Sequence, residues 1–321
     1  ALDIDTPALV LDLDRVEANI ALMAAFARSR EIALRPHAKT HKCAALGRLQ
    51  LVAGAAGLCC AKLGEAEALD AVPFPSGITL TGLGPSATCT VCHQGRTHSG
   101  TVEAAVAGID PDAVSETLSF INVHYGVAAG VTAGGVAATG YHYDGRSYVG
   151  RFAHVPSASS CVDCHEPHSG QVATAGCVAC HQGVDDITAI RTRHADFDGD
   201  GRSDGGIRDE IAGLHMMLGR AITAYAREVT GTPIGYASDS FPYYFTDSDG
   251  DGTISAEEAS FPNRYASWTP RLLRAAYNYQ VVAKDAGAWV YNPAYALQLL
   301  HDSLLDLSER VEVDTARLVR P

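Results

Sequence analysis

The chain opens on an apolar run, PALVLDLD at residues 7–14, of the length of a buried strand. After it Val16, Ile20, Met23 and Ala27 recur at helical spacing, with Asp14 placed as an N-cap. IALRPHAKT (residues 32–40) reads as a second strand, residues 41–55 as a second helix and GLCCAK (57–62) as a third strand. The order βαβαβ predicts parallel strands with crossover helices. Two more helices are legible far along the chain. Ile207, Ile211, Leu214, Leu218 and Ile222 share one face of a segment that ends at Gly231. His215 lies on that face and reads as a core residue. Residues 293–311 start with Pro293 in a first turn and carry an apolar stripe that includes His301.

Composition divides the chain. Up to Asp70 there is no Tyr, no Trp and a single Phe; all 13 Tyr lie beyond. Lys39, Lys42 and Lys62 come early, and Lys284 is the only lysine afterwards. Two modules are expected, residues 1–70 and 71–321, joined near EALDAVPFPSG at 67–77, where Pro and Gly end the helical pattern. The net charge of -13 argues against nucleic acid or an anionic membrane surface as partner. No apolar run reaches the roughly 18 residues of a membrane span. No basic and apolar leader opens the chain, so an export signal is expected to have been removed or never present.

The stretches DTPALVLDLDRVEANI, LRPHAKTHK and CCAKLGEAEAL resemble the start of the D-threonine aldolase and D-serine dehydratase family. That family has an alanine-racemase-like barrel and uses pyridoxal phosphate. The resemblance implies that Lys39 forms the Schiff base, an amine activated by desolvation at a strand's end. It covers only about seventy residues, roughly three strands, whereas an eight-stranded barrel needs about 250 residues. The family's phosphate-binding and metal-binding residues have no counterpart further on. A fragment whose lysine is merely exposed is the other reading. Cys43, Cys59 and Cys60 are expected to be packed thiols.

Beyond residue 70 three CxxCH motifs follow: Cys89–His93, Cys161–His165 and Cys177–His181. From 9 Cys and 13 His, chance supplies roughly 0.01 such motif. Two thiols spaced this way add across the vinyl groups of haem, and the adjoining His reaches the iron. Zinc sites and disulfides do not require that His. The haem thioethers would be Cys89, Cys92, Cys161, Cys164, Cys177 and Cys180, with His93, His165 and His181 as proximal ligands. Histidines outnumber the two late Met, Met216 and Met217, which favours a second His on each iron.

Calcium is the other metal signal. DSDGDGTISAEE (247–258) places Asp247, Asp249 and Asp251 at alternate positions, Gly252 at the turn and Glu258 twelfth. Thr253 would add its carbonyl and Ser255 a side chain or a water. The preceding FPYYFT is no helix, so a loop without a helix-loop-helix pair is expected. DFDGDGRSDGG begins alike with Asp196, Asp198 and Asp200, but its twelfth residue is Ile207; Asp204 or Glu210 would have to complete it.

PFPSG, CHQGR, INVHYGVAAG, CVDCHEPHSG, WTPRLLRAAYNYQ and ALQLLHDSLLDL together resemble a family of bacterial multihaem c-type cytochromes over residues 71–307. The resemblance implies His124, His154 and His168 as distal ligands, His168 on a neighbouring haem, with His98, His142 and His301 as weaker candidates. Family members usually carry further haem motifs upstream of PFPSG, where the aldolase-like segment stands here. The expected fold class is therefore mixed: a mostly α and irregular multihaem module with few strands, preceded by a truncated α/β partial barrel. The expected function is electron transfer through three bis-His haems, not enzyme catalysis. Redox proteins, other haem proteins or further copies of the chain would be its partners, in the periplasm or outside the cell. The alternatives are a pyridoxal-phosphate aldolase or dehydratase acting on D-3-hydroxy amino acids through Lys39, and an artificial fusion of the two parts.

Overall fold

The computed structural model describes residues 11–41, 43–60, 71–166 and 169–321. The first predicted strand falls largely outside them, as do Lys42, Lys62 and His168. The chain forms two compact units: Ala1–Ala71 with Thr81–Thr88, and Val72–Leu80 with Cys89–Pro321.

In the first unit helix α1 spans Leu13–Ser29. Its N-cap is Asp12, not Asp14: the Asp12 carboxylate accepts from the Arg15 N–H at 3.2 Å, and Asp14 lies in the first turn beside the positive end of the helix dipole. Helix α2, Ala44–Val52, connects two extended segments that pair in parallel. The Ala56 N–H donates to Leu34 O, the Cys59 N–H to Pro36 O and the Ala38 N–H to Cys59 O. This is a βαβ crossover reduced to a few bonds. The expected second strand stops at His37, where Ala38–Thr40 turns into one round of 3-10 helix.

The second unit starts with a hairpin of β1 (Val72–Pro73) and β2 (Thr79–Leu80). Short helices follow: α3 (Ala87–His93), α4 (Ser99–Val106), α5 (Ala128–Ala133), α6 (Cys161–Cys164) and α7 (Ala175–Cys180). The core belongs to three long ones, α8 (Ile207–Tyr225), α9 (Pro270–Ala283) and α11 (Pro293–Ser308), which pack on each other. Helix α10 is the single turn Ala288–Tyr291, packed on α5. Strands β3 (Ile234–Tyr236) and β4 (Tyr244–Thr246) form a second hairpin.

Periodicity explains the long helices. Ile207, Ile211, Leu214, Leu218 and Ile222 are all buried, as their spacing demands. Gly231 follows in the left-handed conformation that ends a helix, after one π turn over Ala226–Thr230. Thr269 caps α9 through Leu272 N–H and Asn292 caps α11 through Tyr295 N–H, each with Pro in the first turn.

Residues 94–160 have little regular structure, so their backbone groups must find partners elsewhere. Polar side chains of the core helices supply them. Asn278 accepts from Tyr141 N–H (2.6 Å) and donates to Tyr141 O (3.1 Å). Gln280 accepts from Val123 N–H, Gln298 from Val149 N–H, and the Tyr277 hydroxyl donates to Thr139 O. Arg271, 6% exposed, pairs with Asp112, Asp306 and Glu309 and ties the 110s loop to the ends of α9 and α11. The irregular stretch that carries the candidate haem histidines is thus pinned to a rigid helical core.

Candidate metal centres

The three CxxCH motifs sit on α3, α6 and α7, helices of 7, 4 and 6 residues. Each helical turn brings its two thiols to one side with the histidine at or just past the end. The motifs converge. The Cys89 thiol is hydrogen-bonded to that of Cys161, and burial followed by this neighbour pushes it up from its ordinary pKa. Burial and then Cys177 do the same to Cys164.

The histidines differ in their surroundings. His165 Nδ1 lies 2.9 Å from Gly170 O, which can only accept, so the ring proton is on Nδ1 and the lone pair on Nε2. Holding a ligating imidazole on a backbone carbonyl is the usual way such a ring is oriented. The rings of His154 and His181 stand 6.0 Å apart at 45°. Metal–imidazole bonds of about 2 Å on opposite sides of one ion set two ring centres roughly 6 Å apart. His93 borders the segment of His124: a Cβ at Gly126 would meet His93 Nδ1 at 3.7 Å. His124 itself is exposed, at φ 84°, with its carbonyl accepting from Lys284 Nζ at 2.8 Å. In donor type, two thiols followed by a histidine at each motif, the described residues suit haem c.

The weaker candidates are engaged otherwise. His98 caps α4, its Nδ1 accepting from Gly100 N–H, and burial lowers its pKa. His142 stacks on Tyr148 at 4.0 Å and bonds Tyr295, with burial bringing it down to about 4. His215 stacks on Tyr279 and hydrogen-bonds its carbonyl, the core role its spacing implies. His301 is buried against Asp302, which is paired with Arg320.

The loop Asp247–Glu258 is tied together by its own acidic side chains. Asp247 accepts from the N–H of Gly250 and Gly252, Asp249 from Asp251 and Asp251 from Thr253. Glu258 reaches back to Ser248 N–H at 2.6 Å and Ser255 N–H at 3.0 Å. Gly252 at φ 88° makes the turn that a side chain would strain. Asp247, Asp249 and Glu258 offer oxygens within 4.8 Å of one another. β4 leads into the loop, as the absence of helical pattern in FPYYFT implied.

The earlier loop repeats this geometry. Asp196 accepts from Gly199 and Gly201, Asp198 from Asp200 and Asp200 from Arg202. The residue that closes it is Glu210, in the first turn of α8: it accepts from the N–H of Phe197 at the loop's second position, as Glu258 does from Ser248. Asp196, Asp198 and Glu210 converge like the other set. Burial, then Glu210, Asp200 and Asp196, push Asp198 up to about 6. Unlike Glu258, Glu210 also pairs with a buried arginine, Arg191, at 2.8 Å.

Lys39 lies in the 3-10 turn with its side chain exposed; its N–H is taken by His37 Nδ1. The burial that would activate a nucleophilic lysine is missing among the described residues.

No family model matches the chain and no solved structure does. The chain is 54% identical over 63 residues to D-threonine aldolase from Arthrobacter sp, which is 20% of this chain and 17% of that protein. To D-threo-3-hydroxyaspartate dehydratase from Delftia sp. it is 46% identical over 66 residues, again 17% of the relative. To the C-type polyheme cytochrome OmcB of Geobacter sulfurreducens it is 23% identical over 258 residues, covering 67% of this chain and 30% of the relative. It thus spans under a third of each of these relatives. Two kinds of homologue meet in one chain: aldolase-like over about a fifth of it, polyhaem-cytochrome-like over two thirds.

Proposed function

We propose that the chain from residue 72 onward is a three-haem electron-transfer module, with haem c attached through Cys89 and Cys92, Cys161 and Cys164, and Cys177 and Cys180. The observation that carries this reading is the convergence of the motifs, with Cys89 against Cys161 and Cys164 near Cys177. Haem c supplies an iron that alternates between its ferric and ferrous states. The chain's residues supply attachment, axial ligation and orientation. His93, His165 and His181 are the proximal ligands, His154 stands opposite His181, and His124 serves the haem of His93. Gly170 keeps the proton of His165 off the ligating nitrogen. Adjacent attachment points make ring-to-ring transfer the short path through the protein.

Redox proteins, other haem proteins or further copies of the chain are the partners such a relay would serve. Periplasmic or extracellular placement follows from covalent haem attachment, which takes place outside the cytoplasm. Calcium is proposed to hold the loop Asp247–Glu258 through Asp247, Asp249, Asp251, Thr253, Ser255 and Glu258. The loop with Asp196, Asp198 and Asp200 is proposed to bind more weakly, because Arg191 already balances part of the charge on Glu210.

Haem content measured as the pyridine haemochrome, on protein made in a host that attaches haem c, tests the reading. Three haems per chain are expected. His154→Ala should keep all three and turn one low-spin ferric haem high-spin. A chain without haem would overturn the proposal.

A further inference from the structure

From the carbonyl of Asn122 to that of His124, every backbone polar group has a partner. Asn122 O accepts from Thr97 Oγ1 at 3.1 Å and Val123 O from Arg96 N–H at 3.1 Å, so the loop that follows His93 carries the segment. Val123 N–H donates to Gln280 Oε1 at 3.1 Å. His124 N–H donates to Asn122 Oδ1 at 2.8 Å, and His124 O accepts from Lys284 Nζ at 2.8 Å. Gln280 lies in the last turn of α9 and Lys284 is its C-cap; four residues apart, they share a face and hold consecutive residues of the segment. The His124 imidazole is left over. It is exposed, stands edge-on to the Tyr125 ring at 4.1 Å and makes no hydrogen bond among the described residues.

The backbone under that imidazole is strained. A φ of 84° is uncommon for a residue with a Cβ and persists only where the surroundings enforce it. Tyr243 has φ 78°, and Lys284 Nζ stands 4.0 Å from the centre of its ring. One ammonium thus touches two of the four described non-glycine residues with positive φ. Lys284 is also the only lysine after residue 62. Gly126 sets this turn beside the first motif: an atom at its Cβ position would lie 3.5 Å from Lys284 O and 3.7 Å from His93 Nδ1.

We propose that Lys284 is a positioning residue for His124, clamping the turn Asn122–Gly126 so that the imidazole stays free to ligate the haem held at Cys89 and Cys92. This rests on reading the CxxCH motifs as haem-attachment sites and His124 as the axial partner of His93. A charge-assisted hydrogen bond is about twice as strong as a neutral one, and the Tyr243 ring face holds the ammonium in place to make it. Without the ammonium the turn relaxes toward the negative φ that a residue with a Cβ prefers, and the imidazole turns with it.

The test follows carbon monoxide binding to the reduced, haem-loaded chain. Pyridine haemochrome is measured first: a chain without haem removes the underlying reading, and three haems leave this proposal to stand or fall alone. A haem that must lose His124 before carbon monoxide enters gives a slow phase, identified as the one that His124→Ala abolishes. Lys284→Met should speed that phase at least about tenfold, the worth of one charge-assisted hydrogen bond, and leave the others unchanged. Lys284→Arg keeps the cation and the donor and should restore the parent's rate. If Lys284→Met does not load haem, Lys284→Gln, one bond shorter and neutral, is expected to show the same acceleration. An unchanged phase in the neutral variants would overturn the proposal. So would equal acceleration of every phase, which marks a general loss of stability, or a His124→Ala protein that keeps all the parent's phases.

Discussion

Asp285 is 6% exposed, and only one of its carboxylate oxygens finds a donor among the described residues, the Gly287 N–H at 3.2 Å. Burial pushes its pKa up to about 7 from 3.8. The sign of its linkage follows. Below pH 3.8 the carboxyl is protonated in folded and unfolded chains alike, and its contribution is intact. As pH rises to about 7 the unfolded chain releases the proton while the folded one keeps it, so stability is lost over that window and stays low above it. Asparagine keeps the acceptor for Gly287 and cannot ionise. Asp285→Asn is therefore expected to match the parent at pH 4 and exceed it at pH 8, by at most about 4 kcal/mol. Urea unfolding at the two pH values measures this, and equal stabilities at pH 8 would refute it. The raised pKa is invisible in the sequence because it comes from burial in the folded chain. The same holds for the free histidines. The CxxCH spacing names three ligands outright, whereas His98, His142 and His301 differ from His154 only in what folds against them: a helix N-terminus, a tyrosine face, a buried aspartate.

Elements were legible where one physical requirement set the pattern over many residues. The buried face of α8 was readable residue by residue, and so was the start of α11 at Pro293. The end of α1 shows the limit, since Asp12 and Asp14 are equally good caps until the backbone chooses one. The acidic loops show it more sharply. A twelve-residue template fits 247–258 in full, but it stops at Ile207 in the earlier loop. Glu210 lies three residues further, and the turn of α8 brings it to the place Glu258 occupies in the other. Helical geometry, not loop spacing, completes that set. Two outcomes are expected from calcium titration by calorimetry. Glu258→Gln should weaken the tighter site at least roughly tenfold, because in a loop of this pattern the glutamate would supply two of the oxygens around the ion. Glu210→Gln should leave that site unchanged and affect only weaker binding. Chelation should lower the thermal midpoint of the parent and shift that of Glu258→Gln little. A parent that binds no calcium at micromolar to millimolar concentrations would refute the assignment.

At the scale of the whole molecule the two units differ in what each has to bury. The connected apolar core is drawn entirely from Val102 to Val311, all within the second unit. Among the described residues between 11 and 60 the buried hydrophobic side chains are three alanines, Ala24, Ala27 and Ala38. Leu22 is 72% exposed, Val52 86%, and Met23 and Phe26 stand half in solvent on the same helix. A parallel strand pair normally has both faces covered, and the described residues of this unit supply one βαβ crossover towards it. The break in composition at residue 70 made the division visible, but not that Thr81–Thr88 rejoins the first unit. Burial at this scale decides stability, since apolar area removed from water is its main favourable source. A chain lacking residues 1–71 should therefore keep its full haem complement, with a thermal midpoint within a few degrees of the parent's; for a protein of this size a shift of that order corresponds to about 1 kcal/mol. No helix among the described residues is long and apolar enough to cross a membrane. Calorimetry of the two haem-loaded chains checks it. Loss of haem or a midpoint lower by more than about 10 °C would mean that the aldolase-like segment, for all its exposed apolar surface, supports the fold of the cytochrome-like one.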